Sequence, residues 1–112
     1  MDYNRKNPHV AEDHILQGDV AGMYIPELPA GAVRIESNIV AHGEVTGHHH
    51  IVAEAEMYRD GSGNLFALVK QPTQLLHQEH APWELRPGVI QFGKDGQMQV
   101  EYSGEEERAA RD

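Results

Sequence analysis

Five histidines in this chain stand where they could share one task. His48, His49 and His50 are consecutive, and His77 and His80 lie three apart. In a strand, side chains alternate, so His48 and His50 face one way and His49 the other. The alpha carbons of His48 and His50 would then be about 6.6 Å apart. That spacing lets two imidazoles converge on an ion about 2.1 Å from each ring nitrogen. His77 and His80 share a side only on a helical turn or a bulged strand. Ala81-Pro82 directly after them favours such an irregular spot. A strand ending at His77, a tight Gln78-Glu79 turn and His80 at the entrance of the next strand would turn both rings inward. The expected metal set is His48, His50, His77 and His80.

Glu54 has the parity of His50 but would lie about 13 Å from it on a straight strand. It reaches the same ion only if the chain bends at Ala53 to Ala55, and on that condition it is the candidate ligand or catalytic base. Its plainer role is a solvent-facing charge beside Glu56. Glu79 reads first as an exposed turn carboxylate, and second as a group that orients an imidazole. His49 reads as a surface residue or a support to the ligands, and His9, His14 and His42 as ordinary polar residues.

The chain contains no cysteine, which removes disulfides, thiolate nucleophiles and sulfur-ligated metal sites together. Nitrogen and carboxylate ligands suit Zn, Fe(II), Ni, Co or Mn, and three or four histidines make zinc, iron and nickel the leading candidates. Nine Lys and Arg against 18 Asp and Glu give a formal charge of −9, which disfavours nucleic acid as a partner. No apolar run approaches the roughly 20 residues of a membrane helix. The opening MDYNRKNPHVAED lacks the apolar stretch of a secretory signal, so a cytoplasmic location is expected. Gly88 to Lys94 spells G-x-x-x-x-G-K, but Asp95 stands where Ser or Thr is needed, and Val89 to Phe92 reads as a strand.

The elements that must position the histidines are strands. Turn residues recur at Gly18-Asp19, Pro29-Ala30-Gly31, Gly43, Gly47, Asp60 to Asn64, Pro72, Pro87-Gly88 and Asp95-Gly96, leaving no room for a long helix. The segments between read as Ala32 to Glu36, Asn38 to His42, Val45 to Met57, Leu65 to Lys70, Gln74 to His77, Trp83 to Arg86, Val89 to Phe92 and Gln97 to Tyr102. Asp95-Gly96 is a hairpin signal. About eight short strands at even spacing predict an all-β barrel or sandwich. At 112 residues the chain holds one such domain, expected over 15–103, with a polar arm at 1–14 and a charged tail at 104–112.

The run His48-x-His50, three residues, Glu54, six residues, Gly61, with Gly43 upstream, resembles the first motif of the cupins. That resemblance implies a small barrel with two histidines and a glutamate at a metal. The second cupin motif is absent: Pro87-Gly88 is followed by no histidine, so His77 or His80 would supply the remaining ligand. Gly43-Glu44-Val45-Thr46-Gly47-His48-x-His50, His77-x-Glu79-His80-x-Pro82 and Leu85-x-Pro87-Gly88 are similar to blocks of small uncharacterised bacterial and phage-encoded proteins, from Gln17-Gly18-Asp19-Val20 onward.

Two functions follow as expectations. One is a small metalloenzyme acting on a small-molecule substrate at an open metal position in the barrel mouth. The other is a non-catalytic interaction module in which a closed four-histidine site staples a small core. Edge strands, with Ile51 beside His49 on an outward face, suggest a homodimer.

Overall fold

The computed structural model describes residues 9–10, 13–42 and 48–94. They form eleven strands and no helix: β1 His9–Val10, β2 His14–Gln17, β3 Val20–Ile25, β4 Val33–Ile35, β5 Ile39–His42, β6 His49–Val52, β7 Glu56–Arg59, β8 Leu65–Val69, β9 Thr73–Leu76, β10 Trp83–Leu85 and β11 Gly88–Lys94. The expected all-β architecture is therefore the observed one. A five-stranded sheet runs β1-β10-β9-β6-β5 and a six-stranded sheet β2-β3-β11-β8-β7-β4. Both sheets stay open, so the arrangement is a sandwich and not a closed barrel. Every strand pair is antiparallel except β1 with β10.

Alternation builds the core. Ile15 on β2, Val52 on β6, Met57 on β7 and Leu75 on β9 are buried between more exposed neighbours, whereas central β11 buries Val89, Ile90 and Phe92. The same parity sends two polar side chains inward, Gln17 at the end of β2 and His50 on β6. Among the described residues Arg59 on β7 and Thr73 on β9 are the other buried polar groups, so each sheet carries two.

The single strand expected over Val45 to Met57 is two strands in two sheets. β6 belongs to the five-stranded sheet and β7 to the six-stranded one, with the crossing at Ala53 to Ala55. The corner is held by Ala53 N–H donating to Gln74 O and Glu54 N–H donating to Thr73 Oγ1, both at 2.9 Å. β2 and β3 form a hairpin that the spacing of apolar residues did not announce, with Gln17 opposite Val20 and only Gly18-Asp19 between them. His9–Val10, from the stretch read as an arm, pairs with Trp83 and Glu84. The Gln97 to Tyr102 strand, its Asp95-Gly96 turn, the 43–47 segment and the 104–112 tail lie outside the described residues.

Candidate metal centre

Four imidazoles meet at one end of the sandwich. His48 and His50 come from the start of β6, whereas His77 follows the last residue of β9 and His80 lies in the bend before β10. The chain from Gln78 to His80 is irregular, as Ala81-Pro82 suggested, and it carries both rings back over the β6 end. His77 is the middle of the group. Its ring centroid lies 4.3 Å from that of His50, 4.6 Å from that of His80 and 5.6 Å from that of His48. His50 and His80 are nearly parallel, 12° apart, with centroids separated by 6.2 Å. The four sequence-expected ligands are thus brought together.

The rings are clustered without forming a finished cage. Among the described residues, no group of three or more His, Asp or Glu side chains is placed as it stands to hold a metal ion, so binding requires the rings to move. Their environments decide what each nitrogen offers.

His50 is 4% exposed, and its Nδ1 is 2.8 Å from Gln17 Oε1. Gln17 is also buried, and its Nε2 donates at 3.0 Å to both Leu75 O and Ala81 O. Those two carbonyls fix the amide orientation, because an amide oxygen facing them would leave three acceptors without a donor. Oε1 must then accept from His50 Nδ1–H, and the neutral ring presents its Nε2 lone pair. That nitrogen lies 3.5 Å from Asp19 Oδ1. Burial, and after it the neighbouring His77, lowers the His50 pKa to about 4 despite the opposing pull of Asp19. At neutral pH the ring is the uncharged form that metals bind.

Glu79 touches two of the rings. Its carboxylate Oε1 stands 2.5 Å from His48 Nδ1, and its N–H donates at 3.0 Å to His77 Nδ1. The carboxylate contact makes Glu79 a partner of His48 as well as an exposed turn residue. The N–H contact sets the tautomer of His77, whose neutral ring must carry its proton on Nε2. Burial, with the positive fields His80 and His48 would add, holds the His77 pKa below its ordinary value.

The Gly18-Asp19 turn closes the cluster from the opposite sheet. Gly18 has φ +60°, a conformation that two-residue hairpin loops require and side chains resist. A Cβ there would also lie 2.7 Å from His80 Nε2 and 3.4 Å from His50 Cε1. The missing side chain is what lets the two rings pack against the turn.

Glu54 sits elsewhere. Although the chain bends as the condition demanded, Glu54 lines a depression of about 300 Å³ with Ala55, Glu56, Leu68, Lys70 and Gln71, and none of the four histidines borders it. His49 faces outward, its N–H donating at 3.0 Å to Gln78 Oε1. It lines a second shallow depression, about 310 Å³, with Ile51, Leu76, His77 and Gln78. Through His77 that depression adjoins the histidine cluster.

Gln17 and Asp19 were not among the expected site residues. The signal for them was present: in His14-Ile15-Leu16-Gln17, Gln17 shares the parity of buried Ile15, and Gly18-Asp19 is a two-residue loop. What no pattern carried was the identity of the strand facing that hairpin.

Residues 16–94 match the family model described as Domain of unknown function (DUF8820). No curated protein and no solved structure matches the chain.

Proposed function

We propose that this chain, which belongs to the DUF8820 family, binds one divalent metal ion through His48, His50, His77 and His80 at the end of the sandwich. The observation that carries the reading is the convergence of four imidazoles from two separate stretches, with centroids of contacting pairs 4.3 to 6.2 Å apart. Burial and the neighbouring rings lower the pKa of His50 and His77, so these two favour the neutral imidazole that a metal takes up. Zinc, iron and nickel suit such ligands. Kinship with the cupins is part of the same proposal and rests on the His48-x-His50, Glu54 and Gly61 spacing.

The half-buried position of His48, His77 and His80 favours a metal reachable from solvent over a sealed staple. The depression bordered by His49, Ile51, Leu76 and His77 gives a small-molecule substrate a place beside the ion. The enzyme reading is therefore preferred to the interaction module. A homodimer through the outward face bearing Ile51 and Leu76, which pair across β6 and β9, belongs to the proposal too. Sedimentation of wild type and of Leu76→Asp tests it, a single monomeric species for wild type counting against it.

The test of the metal itself is elemental analysis of untagged protein, with His50→Ala and His80→Ala alongside. Near-stoichiometric metal in wild type and its loss in both variants is the expected result. Wild type that stays metal-free after reconstitution would overturn the reading.

A further inference from the structure

The metal reading leaves Asp19 and Gln17 without a role, yet both stand against the buried His50 ring. Gln17 is 1% exposed and makes three contacts, to Leu75 O, Ala81 O and His50 Nδ1. Its amide orientation follows from the two carbonyls, and the His50 tautomer follows from the amide. With the proton on Nδ1, His50 Nε2 carries a lone pair and faces the Asp19 Oδ1 at 3.5 Å. A neutral nitrogen lone pair and a carboxylate oxygen have no hydrogen to share between them, and both are ligands for the same kind of ion.

The separation is also the right one. With bonds of about 2.1 Å, the adjacent ligand atoms of a five-coordinate ion lie about 3.0 to 3.6 Å apart, and His50 Nε2 and Asp19 Oδ1 fall in that range. The two-residue turn makes this placement possible, because Gly18 at φ +60° swings Asp19 toward the opposite sheet without a Cβ striking His80.

We propose that Asp19 is a carboxylate ligand of the ion, paired with His50 across the two sheets, and that Gln17 is the positioning residue that keeps His50 Nε2 open to it. The inference rests on the metal reading above and deepens it. The site becomes a mixed nitrogen and oxygen set, its carboxylate supplied by the β2–β3 turn and not by Glu54. A carboxylate in the set still suits zinc and iron(II) and admits manganese, which an all-imidazole site suits less well.

The test uses the full chain stripped of metal, titrated with Zn²⁺ and with Co²⁺ as a spectroscopic probe, for wild type and Asp19→Asn. The turn residue is exposed, so the variant keeps its fold, which circular dichroism checks. Asp19→Asn is expected to weaken Zn²⁺ binding by about 100-fold or more and to change the Co²⁺ visible spectrum, since a weaker oxygen ligand alters the field. Nitrogen-15 spectra of the metal-free wild type are expected to show His50 protonated on Nδ1, and Gln17→Leu is expected to release that preference. If wild type binds Co²⁺ and Asp19→Asn binds it equally well with the same spectrum, this inference falls while the histidine site stands. If wild type binds no ion, both fall. A His50 protonated on Nε2 in the metal-free protein would overturn the role given to Gln17.

Discussion

Gln17 Oε1 lies 2.8 Å from His50 Nδ1, joining the last residue of β2 in one sheet to an inward residue of β6 in the other. The contact is between the only polar side chains that strand parity sends inward at this end of the sandwich among the described residues of β2 and β6. It serves folding and the site at once, because the amide satisfies two buried carbonyls while it orients the ring.

Gln17→Leu keeps the volume and removes all three contacts. Leaving Leu75 O, Ala81 O and the ring N–H without partners is expected to cost about 3 kcal/mol. For a domain of this size that lowers Tm by roughly 15 °C, measurable by calorimetry on metal-free protein. A Tm within a few degrees of wild type would mean that water replaces the amide at little cost.

Acid should destabilise the metal-free protein before it protonates the carboxylates. The folded His50 pKa is about 4, against 6.5 for a free histidine, so the unfolded chain binds more protons between those values. Stability is fully present above about pH 6.5 and is lost as pH falls toward about 4, by on the order of 3 kcal/mol. His77, shifted the same way, adds to the slope. Urea midpoints across this range test it, and His50→Leu should flatten the profile.

Gly18→Ala combines two penalties. The φ of +60° alone costs an alanine about 1 to 2 kcal/mol. Its Cβ would sit 2.7 Å from His80 Nε2, so the ring must move as well. The expected outcome is lower stability together with weaker metal binding. A variant with lower stability and unchanged affinity would show that the His80 position does not matter to the ion.

His77 can use Nε2 as a ligand only after Glu79 N–H releases Nδ1. Zinc addition is therefore expected to shift the Glu79 backbone amide resonance strongly, and to speed its hydrogen exchange. An unmoved Glu79 signal at saturating zinc would mean that the ion is held without His77.

Glu54→Ala is expected to leave metal stoichiometry and affinity within about twofold of wild type, because the depression around Glu54 has no histidine on its rim. A loss of metal in this variant would restore the cupin-like role that the motif implies for this residue.

The all-β character, the turn positions and the four histidines were legible along the chain, since they depend on local quantities: alternation, turn chemistry and residue type. His48 and His50 share a face because they lie two apart, and His77 and His80 meet because Ala81-Pro82 breaks the regular strand. Three features depended on the third dimension. The chain changes sheets between Val52 and Glu56, which separates Glu54 from the ring cluster it follows in sequence. The β2–β3 hairpin packs its end against β6 and the β9–β10 bend, bringing Gln17 and Asp19 to His50 from 33 and 31 residues away. The open edges of the two sheets made a sandwich where a barrel had been as good an expectation. Periodicity states which way a side chain points, but not which strand of the other sheet it will face, because that is settled by how both layers pack their apolar faces together.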